Sequence, residues 1–160
     1  MPDQPVRPGV VLAAVAVGGS AGSAARYGVA LLLPHDAGAG VPWATLAVNA
    51  LGCLLIGVLV VLVEGRHPLL RPLLGVGVLG GFTTFSTYAV DAVVLADRGA
   101  AWTAAAYVAG TLVAALAAVS LGVFGTRRLV APGRTVSPAV RTPRPALGDV
   151  RAAADERPTV

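Results

Sequence analysis

A motif rich in glycine and hydroxyl residues lies in the middle of a long apolar segment. Residues 80–88 read Gly-Gly-Phe-Thr-Thr-Phe-Ser-Thr-Tyr and fall inside an apolar run that covers residues 73–95. Glycine loosens a helix, and a broken backbone in lipid survives only where it is buried in protein or lines a cavity. Hydroxyls and ring edges offer positive hydrogens without a formal charge. The motif therefore predicts an interrupted membrane helix beside an ion path.

The composition of the chain is that of a membrane protein. Of its 160 residues, 56% are hydrophobic and 12% are charged, and its mean hydropathy is +0.77. A soluble domain carries about 25% charged residues. Apolar runs at 10–33, 43–63, 73–95 and 101–124 each approach or exceed the roughly 20 residues that cross a bilayer. We predict an all-α membrane protein with four transmembrane helices, the third interrupted at mid-span.

The chain divides into three parts by composition. Residues 1–9 form a short N-terminal segment, and residues 10–124 hold the four spans with short loops rich in Pro, Gly or charge. Residues 125–160 contain seven arginines, five prolines and three acids, which is typical of a disordered basic tail. The single cysteine, Cys53, lies within the second span and excludes an internal disulfide.

The arginines predict the topology. All twelve basic residues are arginine, and in a four-span layout Arg7, Arg66, Arg71, Arg127 and Arg128 fall on one side. The opposite side has only Arg98. Because positive loops stay in the cytoplasm, we expect both termini to be cytoplasmic in a multi-pass protein of the bacterial inner membrane.

Each polar residue within the spans has two interpretations, one structural and one functional. Arg26, at the end of the first span, either reaches the lipid headgroups or forms an electropositive vestibule. Asn49 either joins helices through hydrogen bonds or offers N–H donors to an anion. Tyr107 and Thr111 share one face of the fourth span, at spacing i, i+4, but Ala115 ends this polar line.

Three motifs occur in a fixed order along the spans. They are Gly18-Gly19-x-x-Gly22-x-x-x-Arg26-Tyr27, then Thr45-x-x-x-Asn49-x-x-Gly52, then the motif at residues 80–87. Together they strongly resemble the Fluc (CrcB) family of bacterial fluoride channels, over roughly residues 10–124. The resemblance implies a passive channel that exports cytoplasmic fluoride and so protects the cell from its toxicity.

The resemblance also implies an assembly and a set of site residues. Two four-helix subunits would pack as an antiparallel dimer, with fluoride pores along their interface. A structural Na⁺ at the centre would be held by the backbone carbonyls of Gly80 and Thr83. Arg26 would stand at the vestibule. The residues expected to line the fluoride pore are Asn49, Phe85, Ser86, Tyr88, Tyr107 and Thr111.

Two positions depart from the family pattern, in which Tyr88 is often Phe and Ala115 is frequently Ser. Both departures affect residues expected to line a pore. Together with the one-sided arginines, they favour a partner that is an oppositely oriented homologous subunit rather than a second copy. The other partners expected are the fluoride ion and the lipid bilayer, with no nucleic acid.

Other classes of protein fit the sequence less well. A small four-span multidrug exporter needs an acid within the membrane, whereas Glu64 and Asp91 lie toward span ends. A membrane subunit without a transport role is the second alternative. An enzyme is not expected, because the sequence shows no paired nucleophile and base, and its two histidines lie in separate loops.

Overall fold

The computed structural model describes residues 6–33 and 40–130 and contains no strand in that part of the chain. Its helices follow the chain in a simple order. They are α1 (Pro8–Leu32), α2 (Trp43–Leu62), a π-helical segment (Arg71–Leu79), α3 (Gly80–Phe82), α4 (Phe85–Asp97) and α5 (Ala101–Val130). These helices form four spans that are long and apolar enough to cross a membrane. The third span, Arg71–Asp97, consists of the π-helical segment, α3 and α4. The prediction of four spans is thereby confirmed.

The third span is interrupted at two threonines. Thr83 and Thr84 both have extended backbones, with ψ angles of 157° and 119°, so α3 ends and α4 begins in a new direction. Thr84 starts α4 because its hydroxyl accepts a hydrogen bond from the backbone N–H of Thr87 at 3.1 Å. The interruption lies within the predicted motif, at its two threonines.

Glycines set the contacts between neighbouring helices. Gly18 and Gly22 of α1 lie directly against the backbone of the π-helical segment, and a Cβ on either glycine would collide with that backbone. Gly57 of α2 faces Gly122 of α5 in the same way. Without a hydrophobic drive between helices in lipid, such close backbone approach supplies the van der Waals contact that holds spans together.

The last helix is longer at its C-terminal end than the sequence predicted. We expected the fourth span to end at Phe124, but α5 continues to Val130 and carries Arg127 and Arg128 in its last turn. Arginines in that position interact favourably with the C-terminal end of the helix dipole, which supports the extension. The rest of the predicted tail, residues 131–160, and residues 1–5 and 34–39 lie outside the described residues.

The glycine contact between α2 and α5 gives a first prediction. A Cβ at Gly122 would approach the backbone nitrogen of Val58 to 3.0 Å and the Cα of Gly57 to 3.1 Å, and would overlap the Leu54 carbonyl oxygen. We expect Gly122→Ala to lower stability by about 1–3 kcal/mol, as overpacking does. The measurement is the melting temperature of the purified protein in detergent.

The matched control for Gly122 is Gly110→Ala, in the same helix. A Cβ at Gly110 meets nothing within 4 Å, so alanine there should be neutral or stabilise the helix by about 0.5–1 kcal/mol. Equal melting temperatures for the two variants would contradict the packing described here.

Candidate ion pathway

Asn49 binds the extended residue Thr84 at the interruption of the third span. Its side-chain amide donates from Nδ2 to the Thr84 carbonyl oxygen at 2.9 Å and accepts from the Thr84 backbone N–H at its Oδ1 atom at 2.8 Å. One amide therefore replaces the helical partners of a residue whose backbone is extended. Asn49 keeps one N–H for another acceptor, since an amide carries two.

The interruption leaves some backbone carbonyls without their helical donor. In a continuous helix the N–H of Thr84 would bond Gly80 and that of Thr87 would bond Thr83, because the donor lies four residues on. Here those two N–H groups go to Asn49 and to the Thr84 hydroxyl. The carbonyls of Gly80 and Thr83 therefore lack the donors that a continuous helix would give them.

Arg26 lies at the interruption, and its side chain binds the protein backbone. Its Nε donates to the Gly81 carbonyl oxygen at 3.3 Å, and the Ser23 hydroxyl reaches the same oxygen at 3.4 Å. Arg26 also lines a cavity of about 260 Å³ between the last turns of α1 and the first turns of α2, with Thr84 at its inner wall. The predicted vestibule residue thus lines a cavity that also borders Thr84 of the broken span.

A second cavity, the central groove, lies on the other side of Thr84. It has a volume of about 330 Å³ and opens on the surface of the described chain. Four of the six residues predicted to line a pore line this groove, and Ala115, the departure in the fourth span, lines it as well. The groove is lined by Asn49, Cys53, Ile56, Thr83, Thr84, Phe85, Tyr88, Thr111, Leu112 and Ala115.

Aromatic rings form one wall of the central groove. The Phe85 side chain is 80% exposed, and its ring centroid lies 5.8 Å from that of Tyr88. The Tyr88 hydroxyl donates to the Val108 carbonyl oxygen on α5 at 3.1 Å. Tyrosine at this position therefore ties α4 to α5 through a bond that phenylalanine could not make.

Thr111 faces the same groove with an unused hydroxyl. Its side chain is 6% exposed, and Oγ1 has no hydrogen-bond partner among the described residues. A buried hydroxyl without a partner carries a desolvation cost of about 1–3 kcal/mol. Thr111, which lines the groove, thus carries a buried hydroxyl without a partner among the described residues.

Two predicted pore residues lie elsewhere in the described chain. Tyr107 is 2% exposed and packs among Leu95 and Ala104, outside the residues that line the groove. Ser86 is exposed beside the groove, with its hydroxyl 3.4 Å from that of Thr84. The structure thus brings Asn49, Phe85, Tyr88 and Thr111 together, and Tyr107 lies in the core beside them.

The residue that sequence reasoning missed is Asp91. Its side chain is 6% exposed, and Oδ2 accepts hydrogen bonds from the Thr45 hydroxyl at 2.8 Å and the Tyr107 hydroxyl at 3.4 Å. Thr45 lies in the first turn of α2, so this carboxylate is buried near the end of a span, as its sequence position predicted. The available signal was an acid one turn beyond Tyr88 on the same helix face.

These features define a class of protein. The chain is a four-span helical membrane protein whose third span is broken beside an open groove of uncharged donors. A family model described as CrcB-like protein, Camphor Resistance (CrcB), matches residues 13–123. The chain belongs to the CrcB family, as its three motifs indicated.

Curated relatives cover most of the chain. A protein of Streptomyces coelicolor named fluoride-specific ion channel FluC 1 is 54% identical over 75% of this chain and 79% of its own length. The fluoride-specific ion channel FluC 2 of Nocardia farcinica is 48% identical over 77% of this chain and 89% of its own. The FluC of Paracoccus denitrificans is 48% identical over 73% and 94%.

The paired hydrogen bonds of Asn49 give the second prediction. Asn49→Leu removes both partners of Thr84, so we expect a loss of roughly 1–3 kcal/mol for each buried polar group left unpaired. Asn49→Asp keeps the acceptor and loses the donor. Its stability should therefore lie between that of Asn49→Leu and that of the unchanged protein. Detergent melting temperatures measure the series.

Ser120→Ala is the control for the Asn49 series. The Ser120 hydroxyl is exposed and bonds only the Leu116 carbonyl oxygen of its own helix, so its loss should be nearly silent. A melting temperature for Asn49→Leu no lower than that of Ser120→Ala would refute the role of Asn49 in holding the break.

Proposed function

We propose that this chain is a subunit of a fluoride channel that passively releases cytoplasmic fluoride and protects the cell from it. Two observations support the proposal. Relatives 44–54% identical to it are named fluoride-specific ion channels, and the partnerless Thr111 hydroxyl lies in one groove with the Asn49 amide and the Phe85 ring. The second observation carries the site assignment.

The chemistry of the central groove suits a small, strongly hydrated anion. Such an ion leaves water only if many donors replace its hydration shell, yet conduction requires binding weak enough for release. The second N–H of Asn49, the Thr111 hydroxyl and the ring edge of Phe85 are donors without a formal charge. No arginine lines the groove, so the ion would not be trapped by a full positive charge.

The groove of one chain is open on one side, and a second subunit would close it. Phe85 is 80% exposed and Gly80 is also exposed in the single chain, although both belong to the middle of a membrane span. We propose that the subunits pack antiparallel with this surface at their interface. A partner across Phe85 would convert the groove into an enclosed path.

A structural Na⁺ would fit the interruption of the third span. The carbonyls of Gly80 and Thr83 lack their helical donors, and oxygen ligands without an acid suit Na⁺ better than a divalent ion. No cluster of three or more His, Cys, Asp or Glu residues occurs in the part of the chain described. The ion would supply a fixed positive field that favours anions, while Asn49 and Arg26 hold the backbone around it.

Fluoride efflux from reconstituted vesicles tests the site. Thr111→Val replaces a partnerless hydroxyl by a methyl group of the same shape, so stability should hold or rise, whereas fluoride flux should fall about tenfold or more if this donor contacts the ion. Phe85→Ile removes the ring edge and keeps apolar bulk, with the same expected loss. Unchanged flux in both variants would exclude these residues from the path.

The same vesicles separate the proposed function from its alternatives. Ser120→Ala, an exposed hydroxyl outside the groove, is the control and should conduct normally. A channel of this kind passes fluoride but neither chloride nor a cationic dye. Dye transport would indicate a small multidrug exporter, and no flux with any partner subunit would indicate a membrane subunit without a transport role.

The arginine distribution supports a fixed orientation. Arg71 and Arg127, two of the five arginines assigned to one side, line one cavity at the end of α2 opposite to the cavity that Arg26 lines. A chain with a one-sided charge inserts in one direction. We therefore propose cytoplasmic termini, in the bacterial inner membrane, and an oppositely oriented homologous subunit as partner.

A C-terminal tag tests the orientation. We expect labelling of the tag from the cytoplasmic face alone, and fluoride flux only when the chain is reconstituted with a homologue that inserts the other way. The control is Arg98→Gln, which strengthens the bias and should leave the labelling unchanged. Equal labelling from both faces, or flux from this chain purified alone, would sink the heterodimer while leaving the channel in place.

A further inference from the structure

A third cavity lies at the end of the bundle away from Arg26. It has a volume of about 250 Å³ and is formed where α2 ends, the third span begins and α5 ends. Its walls are lined by Val60, Val63, Glu64, Arg71 and Arg127. None of these residues lines the central groove, so the cavity is separate from the proposed ion path.

The charged groups of this cavity have no partners in the described part of the chain. Glu64 follows α2, Arg71 begins the third span and Arg127 lies in α5, yet none of them forms a hydrogen bond or an ion pair there. All three residues are exposed, so a ligand that enters the cavity can reach and pair with each of them. The ligand must offer an anionic group to two guanidiniums and a cationic donor to one carboxylate.

We propose that this cavity binds the headgroup of a phospholipid that carries both a phosphate and a primary ammonium, as phosphatidylethanolamine does. The phosphate would accept charge-assisted hydrogen bonds from Arg71 and Arg127, since guanidinium forks match phosphate oxygens. The ammonium would donate to the Glu64 carboxylate. Basic pockets between transmembrane helices are known sites for lipid headgroups.

The position of the cavity favours a lipid over a soluble phosphate. Arg71 is the first residue of the third span, Glu64 follows the last turn of α2, and Arg127 lies in the last turn of α5. All three therefore lie at the level where a span leaves the hydrocarbon. Val60 and Val63 give the cavity an apolar wall on α2, along which an acyl chain can lie.

The carboxylate favours a headgroup of mixed charge over an anionic one. Two arginines alone would select phosphatidylglycerol, whose net negative charge answers theirs. Glu64 in the same cavity repels such a headgroup and attracts an ammonium. A quaternary ammonium, as in phosphatidylcholine, has no N–H to donate to Glu64, so it should bind less well than the primary ammonium.

Native mass spectrometry of the full chain in detergent tests the proposal. Phosphatidylethanolamine, phosphatidylglycerol and phosphatidylcholine with the same acyl chains are titrated in parallel, together with free phosphoethanolamine. We expect phosphatidylethanolamine to bind at least about tenfold more tightly than either of the other lipids. Phosphatidylglycerol binding as well or better would overturn the pairing with Glu64, and equal competition by free phosphoethanolamine would overturn the lipid assignment.

Three variants locate the site. Arg71→Gln and Arg127→Gln should each weaken phosphatidylethanolamine binding about tenfold. Glu64→Gln should act in two directions, weakening phosphatidylethanolamine and strengthening phosphatidylglycerol. Arg128→Gln is the control, because it makes the same charge change one residue from Arg127 and does not line the cavity; an equal loss in this variant would refute the site.

The readouts do not depend on ion conduction. If one variant fails to fold, the other two still test the site, because Glu64, Arg71 and Arg127 lie in three separate parts of the chain. Fluoride flux that is absent while lipid selectivity follows the expected order would overturn the channel and leave the headgroup site standing. The reverse pattern would overturn the headgroup site alone.

Discussion

The two hydrogen bonds between Asn49 and Thr84 are the interaction on which the centre of this protein depends. In hydrocarbon an unpaired backbone group costs several kcal/mol, so an extended pair of residues inside a span needs partners from another element. Asn49 supplies a donor and an acceptor at 2.9 and 2.8 Å to one residue. This allows α4 to start anew beside α2, with its first aromatic residue, Phe85, turned outward.

Some of the other backbone groups around the interruption have hydrogen-bond partners. Arg26 and Ser23 occupy the Gly81 carbonyl, and the Thr83 N–H and hydroxyl both bond the Leu79 carbonyl. The N–H groups of Thr84 and Thr87 bond to Asn49 and to the Thr84 hydroxyl, so the carbonyls of Gly80 and Thr83 lose their helical donors. On α5, the Thr111 hydroxyl has no hydrogen-bond partner among the described residues.

Much of this architecture was predictable from the sequence. Four apolar runs gave the spans within a few residues, since the bilayer fixes their length and leaves little choice of structure. The motif at residues 80–88 located the interruption, and its residues, with Asn49 and Thr111, gave most of the groove. The site of the break itself was not predictable, because glycine tolerates a helix and the extended Thr84 is held by donating its N–H to Asn49 and accepting from the Thr87 N–H.

Other features depended on contacts between distant segments. The sequence showed Tyr107 and Thr111 on one helix face, but it could not show that Tyr107 would turn into the core and bond Asp91 while Thr111 would remain free. It also gave Asp91 no role, since a buried acid is stabilised by the hydroxyl of Thr45 from another helix. Periodicity orders residues along one helix, whereas these assignments depend on what lies opposite.

Tyr88 illustrates how a departure from a family pattern can have a structural reason. Its hydroxyl bonds the Val108 carbonyl on α5, and its ring lies between those of Phe85 and Tyr107, with centroids 5.8 and 5.5 Å away. The hydroxyl therefore points to the protein, and the ring edge remains the part that can face an ion. A tyrosine held in this way keeps its hydroxyl on the α5 backbone while its residue still lines the groove.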